Sequence, residues 1–320
     1  MKILVTGGTG FIGSHLAKKL INMQHSVNVL DNFSTGDGRS LQKIDTRDLN
    51  IVRGSILDYT TCEKLVGQSD YIFHLAAAVG VLNIVNKPLE SMITNIRGTE
   101  NIFEIANKYN KPVLLTSSSE IYGKNFSRKL SENADRILGP TSFLRWSYSE
   151  SKAIDESLAF SYFQEFNLPI RIVRFFNTVG PGQVGRYGMV VPRFIDSALK
   201  NLPIEIYGDG TQTRCFAHVE DVIEGLVKVA FSEKTLGIAL NIGNDEEISI
   251  LDLAKKVIQI SNSNSQITFK SYDEAYGRNF EDMIRRVPDL SLIKSLIGWT
   301  PKKSITDIIQ DVIKDRNLNL

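Results

Sequence analysis

Tyr148 and Lys152 stand four residues apart, a spacing that places a phenol and an ammonium on one face of a helix. A free tyrosine titrates at about 10 and is a poor base at neutral pH. A lysine one turn away favours the phenolate, and so is expected to lower that value, while the same ammonium can hold a ribose. Taken alone the spacing is common, and a solvated surface pair is the bland alternative. A second constellation lies at the start of the chain, Thr6-Gly7-Gly8-Thr9-Gly10-Phe11-Ile12-Gly13. It follows an apolar run and opens a helical pattern. A glycine turn lets the backbone approach a pyrophosphate, and the helix N-terminus behind it offers unpaired N–H groups and a favourable dipole. Gly7, Gly10, Phe11, Ile12 and Gly13 are therefore candidate dinucleotide contacts. Asp31 ends the next apolar run about 20 residues further on, where an acidic residue can hydrogen-bond the adenosine ribose. A carboxylate there repels the 2′-phosphate of NADP, and Asn32 follows it instead of an arginine. NAD is the expected cofactor.

These groups need a scaffold, and the hydrophobic pattern supplies one. Lys2 to Thr6, Ser26 to Leu30, Asn50 to Arg53, Tyr71 to His74, Val113 to Thr116 and Ile170 to Phe175 read as buried strands. Ile12 to Met23, Leu89 to Tyr109 and Tyr148 to Phe166 carry helical spacing between them. Alternating strand and helix imply an α/β fold with a doubly wound parallel sheet of the Rossmann type, whose ligands bind beyond the carboxyl ends of the strands. After Asn177 the pattern loosens around Gly180-Pro181-Gly182. A helix over Val191 to Lys200, strands over Ile204 to Tyr207 and Ala239 to Ile242, and a helix from Ser249 to Ile260 with Ser249 as N-cap follow. We expect a dinucleotide domain over 1–177 with roughly 214–243, and a smaller interleaved α/β substrate lobe over 178–213 and 244–320.

The 320 residues are enough for two such lobes, and a net charge of +1 gives no footprint for nucleic acid or an anionic membrane. No run approaches the roughly 20 apolar residues that span a bilayer, and the N-terminus has no signal-peptide layout. The two cysteines, Cys62 and Cys215, lack metal-ligand spacing, as do the four histidines. The expectation is a cytoplasmic protein without a metal.

Gly7-x-x-Gly10-x-x-Gly13, His74-Leu75-Ala76-Ala77, Asn95, Ser117-Ser118-Ser119 and Tyr148-x-x-x-Lys152 together resemble the extended short-chain dehydrogenases/reductases, and among them the nucleotide-sugar epimerases, dehydratases and decarboxylases. Arg174-Phe175-Phe176-Asn177, Tyr207-Gly208-Asp209-Gly210, Arg214-Cys215-Phe216 and Arg286-Val287-Pro288-Asp289 continue the likeness over nearly the whole chain. The resemblance implies NAD contacts at Asn32, Ile56, Leu75, Ala76, Ala77 and Asn95 besides the glycine turn and the Tyr/Lys pair. It implies a UDP-sugar held by Asn177, Val190, Tyr207, Arg214, Arg286 and Asp289, arginine forks being suited to phosphate oxygens. It also implies a homodimer through the helices near Leu89 to Tyr109 and Tyr148 to Phe166. Ile102, Phe103, Ile105, Leu158 and Phe163 could line that interface or face the sheet.

The shared first step of that group is oxidation of the sugar at C4, with Tyr148 taking the hydroxyl proton and Ser118 as hydrogen-bonding partner. Glu120 stands where dehydratases and UDP-glucuronate decarboxylases carry a glutamate, and a carboxylate there is suited to chemistry at C5. Ser119 replaces the aspartate of the 4,6-dehydratases, which disfavours ordinary dehydration. Ser119-Glu120 and Arg145-Trp146-Ser147-Tyr148 resemble the decarboxylases. Gly180-Pro181-Gly182 departs from their Gly-Pro-Arg, and Arg186 is the nearest compensating cation. The sequence thus reads as an isomerase or lyase that forms a 4-keto intermediate and then acts at C5 by dehydration, epimerisation or decarboxylation. A UDP-sugar 4-epimerase with Glu120 as a polar wall is the alternative. A regulator that binds NAD and UDP-sugars without turnover is the third.

Overall fold

The computed structural model describes residues 1–318 apart from 37, 42, 43, 45, 46, 81–83, 85, 186–188, 277–280 and 282. The first half alternates β1 (Lys2–Thr6), α1 (Phe11–Asn22), β2 (Ser26–Asp31), β3 (Leu49–Arg53), α2 (Tyr59–Gly67), β4 (Tyr71–His74), α3 (Pro88–Lys108), β5 (Val113–Ser118), α4 (Ser147–Phe166) and β6 (Ile170–Phe175). The second half has shorter pieces. They are β7 (Thr178–Val179), α5 (Val190–Leu199), β8 (Ile204–Tyr207), β9 (Thr213–Cys215), β10 (Ala217–His218), α6 (Val219–Ala230), β11 (Ala239–Ile242), β12 (Glu247–Ser249), α7 (Ile250–Ser261), β13 (Ile267–Lys270), α8 (Tyr272–Tyr276), α9 (Ser291–Ile297) and α10 (Ile305–Leu318).

Seven parallel strands form one sheet in the order β11-β6-β5-β4-β1-β2-β3. Side chains alternate between the faces of a strand, so an unbroken apolar run feeds two cores at once. Ile3, Val5, Val27, Val29 and Phe73 face α1, α6 and α9, whereas Leu4, Leu30, Ile72, Leu115 and Ile172 face α2, α3 and α4. A third core joins Phe194, Ile204, Ile206, Leu253, Val257 and Ile308 from the later segments. Ser249 caps α7, its side chain accepting the Asp252 N–H. Leu290, Ile293 and Trp299 pack on the first core, not the third.

Ile102, Phe103 and Ile105 are fully buried against the sheet. Of the two roles the sequence left open to them, the structure gives them the core. Phe163 also packs there, and Leu158 is half-buried. Among the described residues no helix is long and apolar enough to cross a membrane. The carboxyl ends of β1, β4 and β5 lie side by side, and the segments leaving them carry the glycine turn, Leu75-Ala76-Ala77 and Ser118-Ser119-Glu120.

Candidate active site

The glycine turn separates into residues the fold needs and one it does not. Gly7 has φ +70°, and a Cβ there would lie 2.8 Å from the Ala76 nitrogen. A Cβ on Gly13 would strike the Gly7 carbonyl. Gly10, at φ −68°, would meet only that carbonyl at 3.3 Å and the Thr35 hydroxyl at 3.9 Å. It is also the N-cap of α1, and no side chain caps that helix. Packing opposes a side chain far less here than at Gly7 or Gly13, and its absence leaves the helix N-terminus open to close approach by a ligand. Phe11 and Ile12 follow, half-buried. Asp31, buried at the end of β2, accepts the Thr9 N–H at 2.9 Å and the Phe33 N–H at 2.8 Å, tying turn to strand. Asn32 is exposed and accepts from the Ser34 N–H.

Behind the turn runs a chain of buried hydrogen bonds. The His74 ring lies 2.8 Å from the Thr6 hydroxyl and 3.0 Å from that of Thr99, and Thr6 in turn accepts the Ala76 N–H. Burial, aided by the Lys152 charge, pushes His74 down to about 3, so the ring is neutral. Asn95 accepts the Ala78 N–H at 2.7 Å and donates to Ser151 at 3.1 Å, fastening the loop after β4 to α4. Leu75, Ala76 and Ala77 are half-buried on this loop, and Ile56 is buried against Gly98.

Tyr148 and Lys152 lie on α4 as their spacing predicts, but their charges are arranged differently. The phenol is pushed up, not down, first by burial and next by the Glu120 charge, against a hydrogen bond with Ser118. The Lys152 ammonium sits 3.1 Å from Asp155, the two side chains being 3% and 0% exposed. The expected lowering of Tyr148 by Lys152 is outweighed by burial and the Glu120 charge, and Asp155, one turn further along α4, pairs with the ammonium. Ser118 ends β5, and its hydroxyl accepts the Glu120 N–H to start the short turn Ser119–Tyr122, in which Ser119 is buried.

Glu120 occupies the centre of a charged cluster. Arg145 Nη1 lies 2.7 Å from Oε2, and Arg286 pairs with Oε1. Arg286 also donates to Asn177 Oδ1 at 2.6 Å, and Asn177 donates to the Cys215 carbonyl at 2.9 Å. Burial by itself would raise the Glu120 carboxyl, but the two guanidinium groups outweigh it and hold it at about 2. The cluster is an ionised carboxylate between two cations, with a formal charge of +1.

The other expected substrate residues are held by contacts of their own. Arg214, buried, donates to the Thr213 carbonyl. Val190 opens α5, and Tyr207 at the end of β8 lies under Arg193, whose guanidinium is 4.0 Å from the ring centroid. Asp289 accepts the Ser291 N–H. Arg186 lies outside the described residues.

A family model described as the NAD dependent epimerase/dehydratase family matches residues 3–243. This chain belongs to that family. A UDP-N-acetyl-alpha-D-glucosaminuronate decarboxylase of Bacillus cytotoxicus is 40% identical over 98% of this family member and 97% of that protein. UDP-glucuronic acid decarboxylase 2 of Arabidopsis thaliana is 34% identical over 98% of this chain and 68% of its own. Among solved structures, a UDP-glucuronic acid 4-epimerase from Bacillus cereus, in complex with UDP-glucuronic acid and NAD, superposes with a TM-score of 0.88 at 31% identity, covering 99% and 100% of the two chains. The protein is thus an NAD-dependent enzyme, and its own residues fit that cofactor: the side-chain-free Gly10, the uncapped α1 N-terminus and Asp31 at the tip of β2.

Two participants escaped the sequence reading of the site. Arg145 stood only as part of a motif, although a guanidinium three residues before Tyr148 was open to notice. Asp155 was passed over, although an acid at i+3 from Lys152 is a pairing distance on any helix.

Proposed function

We propose that the enzyme decarboxylates a UDP-hexuronate. The observation that carries this is the arginine clamp on Glu120. A carboxyl held at about 2 is a weak base, and to accept a C5 proton it would have to part from both Arg145 and Arg286. Dehydration and C5 epimerisation need that proton removed. Decarboxylation does not. NAD, when bound, accepts a hydride from sugar C4 and later returns it. Tyr148, with Ser118 beside its hydroxyl, receives the C4 hydroxyl proton. In the resulting β-keto acid the C5–C6 bond breaks, its electron pair passes into a C4–C5 enolate, and carbon dioxide leaves; a proton then returns to C5. The net positive charge of the Arg145–Glu120–Arg286 cluster suits a sugar carboxylate and opposes its loss to solvent. Arg214 is assigned to the diphosphate, Val190 and Tyr207 to the uracil, and Asp289 to the nucleotide ribose. The similarity to decarboxylases over nearly the full chain supports the same reading.

The deciding experiment is product analysis by NMR in deuterated water with UDP-glucuronate and UDP-N-acetylglucosaminuronate. Release of carbon dioxide with one deuterium at C5 is expected. A C4 epimer that keeps its carboxylate and carries no solvent label overturns the proposal in favour of a 4-epimerase. Binding without any turnover favours a regulator.

We further propose the two-lobe division at 1–177 with 214–243 and 178–213 with 244–320, and a homodimer through α3 and α4. Ile154, Phe160 and Phe166 of α4 and Leu89 of α3 are exposed apolar groups that support the dimer. A cytoplasmic setting is supported by the two cysteines, both buried and unpaired.

A further inference from the structure

A buried carboxylate three residues beyond Lys152 is used by no step above. Asp155 is fully buried, one oxygen 3.1 Å from the Lys152 ammonium, with the Thr99 hydroxyl also beside the carboxylate. A buried acid of this kind is costly unless it is paired, and Lys152 is its partner. Around the pair stand neutral His74 from β4, Thr99 from α3 and Glu156 from α4 itself; around the Tyr148 phenol stand Glu120, Arg286 and Ser118. Asp155 and Tyr148 thus compete for one ammonium on one helix. With Asp155 charged, the lysine is already neutralised, and ionising the phenol adds a negative charge beside Asp155 and Glu120 that the ammonium no longer offsets. Without it, phenolate and ammonium would compensate each other.

We infer that Asp155 is a positioning residue that draws Lys152 away from Tyr148 and so sets the pH at which the phenol becomes a base. It acts on the phenol both through the ammonium it holds and by its own negative charge, without touching substrate.

The test is Asp155→Asn. The acid limb of kcat/KM is expected to move to lower pH by about one unit, the scale of removing one neighbouring like charge. Asp155→Glu is expected to restore the limb. A readout free of cofactor and substrate is phenolate absorbance, titrated as the difference between each protein and its Tyr148→Phe version. There the phenol should ionise at lower pH in Asp155→Asn than in wild type. A uniform loss of kcat with an unmoved limb, a limb displaced upward, or an unchanged phenol titration overturns the inference. Should Asp155→Asn fail to fold, Asp155→Ser, which leaves a hydroxyl for the ammonium, carries the same expectations. Only the kinetic arm rests on the proposed reaction; the absorbance arm stands if that reaction is wrong.

Discussion

Arg145 and Glu120 meet at 2.7 Å with side chains 5% and 14% exposed, and Arg286 closes on the opposite carboxylate oxygen. Removing the carboxylate leaves two buried cations facing each other. Glu120→Gln is expected to lose about 3–5 kcal/mol of stability in urea unfolding. The wild type carries a pH signature of the same contact. Because the folded carboxyl lies at about 2, below its ordinary 4.5, its stabilisation is complete above 4.5 and is lost as the pH falls through about 2. Denaturation midpoints should fall over that window in the wild type and fall less in Glu120→Gln.

Gly10 and Gly13 should respond differently to the same methyl group. At Gly13 it strikes the Gly7 carbonyl, so Gly13→Ala is expected to unfold the turn and lower the melting temperature. At Gly10 its nearest neighbour is 3.3 Å away. Gly10→Ala should melt close to the wild type and bind NAD at least tenfold more weakly, one charge-assisted contact being worth about 1.5–3 kcal/mol. Equal melting losses in both variants would falsify the assignment of Gly10 to the cofactor.

Asp31 holds the Thr9 and Phe33 N–H groups, and we propose that it also faces the adenosine ribose. Calorimetry is expected to give tighter binding of NAD than of NADP. Asp31→Ser should weaken NAD by about tenfold and narrow the difference between the two. Tighter NADP binding by the wild type would reverse the cofactor choice.

Ser118 opposes the rise in the Tyr148 phenol through its hydrogen bond. Its loss removes stabilisation of the phenolate, so Ser118→Ala should move the acid limb of kcat/KM to higher pH. A fall in kcat of about 10–100-fold is expected alongside. A limb that stays in place would show that the hydroxyl does not act on Tyr148.

Phe160 and Ile154 are 37% and 40% exposed on α4. Light scattering is expected to find a dimer at micromolar concentration, and Phe160→Asp a monomer. A monomeric wild type would remove the proposed interface.

The sheet was legible in the sequence because a strand buried on both faces must be apolar throughout, and Ile3-Leu4-Val5, Tyr71-Ile72-Phe73 and Val113-Leu114-Leu115 meet that demand with no help from distant residues. The glycine turn and Asp31 were legible for a related reason, since both belong to one β-α-β unit whose geometry is local. The two- and three-residue strands after Asn177 were not, because pairs such as Ala217-His218 with Thr178-Val179 are too short to carry a period. The charges around Tyr148 depended on burial and on residues from elsewhere in the chain as well as on helical spacing. Helical spacing could place Lys152 beside Tyr148, but the preference of an ammonium for a buried carboxylate depends on how deeply Asp155 sits beneath α3 and β4. Glu120 makes the same point. Its residue type offered a base at C5, and the arrival of Arg286 from the far end of the chain turned it into the anion of a clamp. Local sequence determined which groups the active site holds, and long-range packing decided their charge states, because burial and the nearest opposite charge set the cost of ionisation.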